Sequence, residues 1–393
     1  MVVDRLTQAN LTDFYQLYLY AFNKQDSPYR RQFFTTRFKH AQAYGIYQAK
    51  QLTSGLLSIP LQVYFHGTSY QMNGIGDVMS APESRGHGNA GKLLTTALEN
   101  MYQQQITLSY LAPFAYRYYR RFGYEHTFNH LQYSLPGRDL PKIKSANFQV
   151  KRSSLAAALP EIMPYYQQKA QSRSGALVRP TWWWDYLTQK HPDWEVARAY
   201  NQQKQLIGYL IYSRQATTFT SHECQVSDAT GYQTLMQFIR RHQSSYQRFL
   251  FVSADDHNLL DLLPEPSLAT TQLQPYMMAR IVNLKQFIQA YPFTQKHLAP
   301  LTLTVTDPIL AANNGTWQLQ LTEGQVTFAK IDSANVQKAR QIQTDIQTLT
   351  KLLFGVQTGA TLAHYGQLTG TIEALTALDA VLPHTRPQLW DYF

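Results

Sequence analysis

The segment Val78-Met79-Ser80-Ala81-Pro82-Glu83-Ser84-Arg85-Gly86-His87-Gly88-Asn89-Ala90-Gly91-Lys92 has the residue types and spacing of an anion cradle. An apolar run ending near Ser80 reads as a strand, the glycines as a turn, and the residues after them as an amphipathic helix. The first N–H groups of a helix have no partners within it, and the helix dipole adds positive potential at the same end. Gly86, Gly88 and Gly91 let backbone approach a pyrophosphate with no Cβ in the way. Arg85 adds a charge that phosphates pair with. The turn is not a Walker loop, because no Gly-Lys-Ser/Thr follows at the required spacing. It is set apart from the dinucleotide fingerprint because the preceding strand is read as opening no βαβ unit. Taken alone, it serves equally well as a flexible loop before a helix.

The other chemistry-bearing residues are ambiguous by type. Tyr119, in Tyr-Tyr-Arg-Arg-Phe-Gly-Tyr-Glu, reads on its own as a packing aromatic among Tyr116, Tyr118 and Phe122. Arg117, Arg120 and Arg121 either reach an anion or form a solvated helix face. Ser109 reads as a buried strand serine, with an acceptor-pocket role as the alternative. Trp182, Trp183 and Trp184 are consecutive on one expected helix and so point in different directions, which favours packing over ligand stacking. Twelve histidines show neither a His-Glu-x-x-His motif nor paired ligand spacing, so no catalytic metal is expected. Cys224 is the only cysteine, so no intrachain disulfide forms, and no nucleophile motif surrounds it. The chain ends Gln388-Leu-Trp-Asp-Tyr-Phe393. Chain ends usually fray, yet large apolar groups run here to the last residue, which a solvated tail seldom has.

The elements that must position these residues follow from periodicity. Apolar positions at helical spacing over 8–22 predict a helix, with Thr12 and Asp13 as its cap. Residues 42–49 read as a strand, and 56–79 as two strands joined through His66-Gly67-Thr68. After the glycine turn, Leu93, Leu94, Ala97, Leu98 and Met101 fall on one helix face. A strand at 107–111, an aromatic helix at 115–122 and a strand after Gly123 complete the first region. Leu135-Pro-Gly-Arg-Asp-Leu-Pro141 has linker punctuation. The second region predicts helices near 153–170, 181–190 and 230–243 and strands near 195–200, 206–212 and 248–252, a degenerate echo of the first without its glycine turn. The third predicts strands at 301–305 and 317–321 and helices at 337–353 and 371–381.

Length and composition agree with three parts: 393 residues exceed one ordinary core, and 44% hydrophobic against 15% charged residues is a globular balance. The net charge of +10 favours anionic partners or serves solubility, and no basic run of five or more suggests a nucleic-acid arm. The N-terminus has no apolar run of signal-peptide length, and the longest apolar patch cannot span a bilayer. A soluble cytoplasmic protein with neither nucleic-acid nor membrane partners is therefore expected.

Arg85-Gly-His-Gly88-Asn-Ala90 resembles the Arg/Gln-x-x-Gly-x-Gly/Ala signature of GNAT acetyltransferases. Three pieces together, Gly-Ile-Gly-Asp-Val-Met-Ser-Ala-Pro-Glu-Ser-Arg-Gly-His-Gly, Ser-Tyr-Leu-Ala-Pro-Phe-Ala-Tyr-Arg-Tyr-Tyr-Arg-Arg-Phe-Gly-Tyr-Glu and the ending Trp-Asp-Tyr-Phe, resemble the Eis (enhanced intracellular survival) family across the whole chain. The resemblance implies an α+β (mixed α/β) protein: a catalytic GNAT domain at 1–140, a degenerate GNAT domain at 141–284, and a sterol-carrier-like domain at 285–393. It implies acetyl-CoA as co-substrate, held by Val78, Met79, Ser80, Arg85, Gly86, His87, Gly88, Asn89, Ala90 and Gly91. It implies Tyr119 as general acid, with Tyr118 as the alternative, and the terminal carboxylate of Phe393 as the group that holds or deprotonates the amine. Aminoglycoside-like polyamines or lysine side chains are the implied acceptors, and a closed homo-oligomer, commonly a hexamer, the implied assembly. Two other functions share parts of this pattern: a tandem-GNAT peptidyl or fatty-acyl transferase, and a CoA- or lipid-binding module without chemistry.

Overall fold

The structure is a computed structural model that describes residues 2–143, 149–255, 262–263, 265–332 and 338–393. Its first helix, Leu11–Ala21, buries Phe14, Tyr15, Leu17 and Tyr18, so the expected face is the one that packs. The cap lies earlier than expected: Thr7 accepts the Ala9 N–H at 3.3 Å and opens a short turn, Gln8–Asn10, that leads into the helix. A second helix, Pro28–Lys39, was not anticipated. Ser27 caps it by accepting the Arg30 N–H at 3.1 Å, and Pro28 takes the first helical position, where its missing N–H costs nothing.

The long hairpin Gln51–Phe65 and Thr68–Ser80 turns at His66 and Gly67, and Gly67 takes φ +87°. Thr68–Ser80 then pairs in parallel with Leu108–Leu111, and the helix Asn89–Gln103 crosses between them. Parallel neighbours require such a crossover. The glycine turn therefore does sit in a βαβ unit, contrary to the expectation: the strand at 107–111 was read, but its parallel pairing with Thr68–Ser80 has no local signature. What separates the turn from a dinucleotide site is its neighbour: Thr68–Ser80 runs antiparallel to Gln51–Phe65 on its other side.

Among the described residues the strands form three sheets. The first runs Asp4–Leu6, Gln42–Gln48, Gln51–Phe65, Thr68–Ser80, Leu108–Leu111, Met278–Ile281, Glu125–His126, with Ser174–Val178 added to Gln51–Phe65. The second runs Thr270–Pro275, Asn129–Pro136, Arg248–Ser253, Thr218–Val226, Leu206–Gln215, Glu195–Tyr200, Val150–Ser154. The two regions thus exchange strands. Asn129–Pro136, expected to finish the first region, pairs in the second sheet, and Met278–Ile281 inserts into the first. The third sheet runs Gln325–Lys330, Gly315–Thr322, Leu298–Thr306, Gln341–Asp345, Thr369–Gly370. The helix expected from 337 begins only at Ile346. Before it, Gln341–Asp345 is a strand with Ile342 and Thr344 buried in alternation, and Asp345 caps the helix by accepting the Thr348 N–H at 2.7 Å. No described helix is long and apolar enough to cross a membrane.

One hydrophobic cluster runs through all three parts, from Phe14 and Phe65 through Tyr166 and Trp184 to Phe287, Phe354 and Phe393. A buried ion pair pins the same seam. Arg280, on the inserted strand, donates to the Phe122 carbonyl and to Asp307 Oδ2 at 2.5 Å, and both charged side chains are fully buried. Removing one member of such a pair strands the other in low dielectric, at a cost of about 3–5 kcal/mol. Asp307→Ala should accordingly lower the unfolding free energy by that amount in urea melts, far more than loss of the exposed Arg340–Glu373 pair.

Candidate active site

Thr68–Ser80 supplies the floor of the site. Its register with Gln51–Phe65 shifts between Gly55 and Leu57, and Asp77, opposite the shift, takes φ +49°. A bulge of this kind bends a strand and re-aims its side chains. The parallel pairing with Leu108–Leu111 reaches only to Ile75, so from Gly76 to Ser80 that edge has no neighbouring strand among the described residues, while Met79 and Ser80 still pair with Gly55 and Ser54 on the other side. Two cavities open beside this edge and share Phe22, Val78 and Phe114 as walls.

The first cavity, about 630 Å³, is the one the sequence anticipated. Val78, Met79, Ser80, Arg85, Gly86, Gly88, Asn89 and Ala90 all line it, joined by Tyr118 and Arg121. His87 and Gly91 do not. His87 is exposed, and a Cβ on Gly91 would stand 3.1 Å from the Phe122 ring, so that glycine serves helix packing. Gly86 and Gly88 have φ +83° and +75°, a region costly for other residues. Gly88 is also the N-cap of Asn89–Gln103 and offers no side chain, which leaves the first-turn N–H groups open towards the cavity. Asn89 is 2% exposed, and both polar atoms of its side chain lack a partner. Open amides, an orphaned buried carboxamide and Arg85 make a donor set that fits a diphosphate. Gly88→Ala meets no atom within 4 Å in the free protein, so its effect falls on φ and on the approach of a ligand. We expect a loss of roughly 1–2 kcal/mol in unfolding free energy, the αL cost that an alanine carries in the free fold, and a separate fall in acetyl-CoA affinity by calorimetry, because the added methyl stands where a diphosphate would approach the backbone.

The second cavity, about 540 Å³, holds the two residues singled out for catalysis, Tyr119 and Phe393. Tyr119 lies on the short helix Tyr116–Arg120, 2% exposed, its ring against Phe114, Tyr118 and Tyr124 at 5.1, 5.2 and 6.3 Å. Burial, and after it the neighbouring phenols, push its pKa well above the ordinary tyrosine value. Tyr118 sits in the other cavity, under the Arg121 guanidinium at 4.8 Å.

Phe393 is 4% exposed. Its ring lies 2.8 Å from where a Gly74 Cβ would be, and its terminal carboxyl carbon 3.4 Å from a Gly76 Cβ position. Glycine inside a strand marks the close approach of another chain segment, and here the segment is the C-terminus itself. The tail is extended: Pro387, Leu389, Asp391 and Phe393 are buried in alternation. Asp391 accepts from Arg179 Nε at 2.9 Å and from Trp183 Nε1 at 2.7 Å, while Arg179 Nη2 donates to Glu223 at 2.7 Å. His130 Nε2 meets the Leu389 carbonyl at 2.8 Å, and the Tyr276 hydroxyl donates to the Asp391 carbonyl at 3.0 Å.

Comparison with known proteins accounts for this arrangement. Residues 2–127 match the model of one acetyltransferase (GNAT) domain, residues 175–281 that of a second, and residues 284–390 that of a sterol carrier protein domain. The structure superposes on a probable N-acyltransferase from Enterococcus faecalis at TM-score 0.94 with 34% identity, covering 100% of this chain and 99% of that one. The chain belongs to the GNAT acetyltransferases. A GCN5-related N-acetyltransferase from Anabaena variabilis matches at TM-score 0.89 and 25% identity, with 100% of both chains covered. The Eis1 protein of Mycobacterium abscessus has the same fold: TM-score 0.82, 17% identity, 100% of both chains covered. No curated protein is significantly similar. Two GNAT domains followed by a sterol carrier domain form an Eis-like architecture, and the chain is an acetyltransferase. GNAT domains in general use acetyl-CoA.

Not every residue of interest in this GNAT enzyme was anticipated. Ser109 is fully buried and bonds the Asn73 carbonyl at 3.0 Å and the Tyr124 hydroxyl at 2.7 Å, away from both cavities. Trp183 both packs and donates to Asp391, a role no triplet of tryptophans reveals. Arg37 and Asp77, which pair beneath the second cavity, were passed over, although Gly74 and Gly76 beside Asp77 signalled a close approach.

Proposed function

We propose that this enzyme moves the acetyl group of acetyl-CoA directly to a primary amine, with Tyr119 as general acid and the Phe393 carboxylate holding the amine. The observation that carries this reading is the terminal carboxyl of Phe393, seated against Gly76 in a cavity that shares a wall with the diphosphate-sized one. The amine nitrogen attacks the thioester carbon. The C–S bond breaks, sulfur takes the Tyr119 proton, and the proton shed by nitrogen passes to the carboxylate or to water. The open edge from Val78 to Ser80 pairs with the pantetheine arm and offers backbone N–H groups to the oxyanion.

Magnitudes fix the timing of both proton transfers. Reference values near ~8.5 for a thiol and ~10 for a phenol imply a gap of roughly 2 kcal/mol. Burial of Tyr119 widens it. The phenol therefore donates a hydrogen bond to the departing sulfur and releases its proton late. A carboxyl near ~3.5 and an alkylammonium near ~10 stand roughly 9 kcal/mol apart, so the carboxylate takes a proton only as nitrogen bonds to carbon. The acid must be protonated to act, and its pKa is raised. Activity owed to Tyr119 is thus retained below the ordinary value of 10.0 and lost only above it. The kcat profile should show no alkaline fall between pH 7 and pH 10, and Tyr119→Phe should leave that range flat at a lower level.

In this reading residues 1–140 are the catalytic part, 141–284 the second GNAT unit, and 285–393 the part that delivers Phe393. Aminoglycoside-like polyamines and lysine side chains are the acceptors the resemblance implies, and a closed homo-oligomer, a hexamer by the same resemblance, is the assembly. Thiol release from acetyl-CoA across aminoglycosides, polyamines and lysine peptides tests the reaction. Turnover with at least one amine supports it. Turnover with long-chain acyl-CoA or aminoacyl-tRNA but never with acetyl-CoA would replace it.

A further inference from the structure

The second cavity has a charge pattern of its own. Besides the Phe393 carboxylate, Asp77 is the one acidic side chain among its lining residues, and Arg37 pairs with it, both groups nearly buried. Lys24, Arg30 and Lys190 line the same cavity, and among the described residues no carboxylate is bonded to them. Arg30, on the helix Pro28–Lys39, gives its Nε to the Gln25 carbonyl at 2.8 Å. Lys190, on the facing helix Thr181–Lys190, holds its Nζ 5.3 Å from the Tyr186 ring centre and 5.4 Å from that of Tyr392. Both rings belong to the cavity wall, so the ammonium leans over the cavity. Arg37 also keeps a buried Nε without a partner. Two further carboxylates lie outside the lining: Asp193, whose charge acts on Tyr29 and His191 and which accepts from Gln215 at 3.1 Å, and Asp26, which is engaged by Arg31 and Tyr15. His191, which lines the cavity, is held neutral: burial, then Lys190, lowers it to about 4.

One carboxylate at the catalytic end and an excess of cations at the helix end recognise two different groups on one molecule. We propose that the acceptor is an amine that also carries an anionic group, a carboxylate or a phosphate, bound by Arg30 and Lys190 while its amine faces Phe393. This rests on the acetyl-transfer reading and departs from the polyamine acceptors that the resemblance implies. A polycation entering this cavity would bring its further ammonium groups against Arg30 and Lys190, whereas an anionic tail gains charge-assisted hydrogen bonds there.

The test is a matched set of acceptors, pentylamine, 1,5-diaminopentane, 5-aminopentanoate and an acidic dipeptide with a free N-terminus, compared by kcat/KM in the thiol-release assay. We expect the anionic acceptors to exceed pentylamine by about 10-fold or more and the diamine to fall below it. Arg30→Gln and Lys190→Gln should each raise KM for the anionic acceptors about 10-fold and shrink that ratio, with CoA affinity unchanged as the check on folding. Equal or better turnover of the diamine, or variants that leave the ratio as it was, overturns the inference while acetyl transfer stands. No thiol release with any amine, from enzyme shown by calorimetry to bind acetyl-CoA, removes acetyl transfer and the inference with it.

Discussion

Addition of one glycine after Phe393 is expected to lower kcat at least about 100-fold while leaving acetyl-CoA affinity and melting temperature close to those of the parent. The added residue moves the terminal charge by up to ~3.5 Å, in a cavity where the present carboxyl carbon already lies 3.4 Å from the Gly76 Cβ position. Positioned acid–base groups contribute typically ~100- to 10,000-fold, and the lower end of that range sets the expectation. Steric displacement of the tail could mimic the loss, so a second variant separates the effects. A C-terminal carboxamide, made by ligation of a synthetic tail, keeps the Phe393 ring on Gly74 and against Trp183 at 5.7 Å and removes only the charge. If the amide turns over normally, the carboxylate plays no part in the reaction, however poorly the extended chain performs.

The glycine turn that lines the first cavity was legible in the sequence because its pattern is local: glycines, one arginine and a helix start within seven residues. The helix Pro28–Lys39 was not, because its buried face, Phe33, Phe34, Arg37 and Phe38, carries a charged residue where the apolar period needs a hydrophobic one. Its start was nonetheless written in Ser27-Pro28, a capping residue followed by the one residue best suited to the first helical position. The strand exchange had no local signature at all. Asn129–Pro136 alternates as a strand in either sheet, and its partners lie more than a hundred residues away. The ending was informative in kind, since large apolar groups at a terminus predicted burial. The alternation of Pro387, Leu389, Asp391 and Phe393 was equally readable as an extended segment with one polar residue facing inward. What that polar residue meets, Arg179 and Trp183, depends on contacts across 212 and 208 positions.

That inward residue leads to the second large expectation. The side chains of Arg179 and Asp391 are 2% and 1% exposed, and Glu223 on the other side of the guanidinium is 5% exposed. The Arg179 guanidinium also stacks over Tyr166 and Trp184 at 4.0 and 4.6 Å, so packing fixes its plane before the tail arrives. Tyr209 donates to Glu223, which orients the far carboxylate. The second GNAT unit thus presents a preformed socket, and Asp391 is the plug two residues before the terminal carboxylate. Asp391→Ala strands the Trp183 N–H and half of the guanidinium, a loss of about 3–5 kcal/mol for a buried pair. Burial of Leu389 and Phe393 returns roughly 1.5–3 kcal/mol each, and ordering the last residues costs about 1–2 kcal/mol apiece, so a tail without the Asp391 contacts should come off locally while the rest of the molecule stays folded. We therefore expect kcat to fall at least about 100-fold with acetyl-CoA affinity retained, and carboxypeptidase to remove Phe393 far faster than from the parent. Asp391→Asn, which still accepts from Trp183, should fall between the two. Because Asp391 does not line the second cavity, its loss should act through kcat in proportion to the fraction of chains with the tail undocked. A protease-resistant tail in the alanine variant, or parent-like kcat, would show that Phe393 keeps its place without this socket.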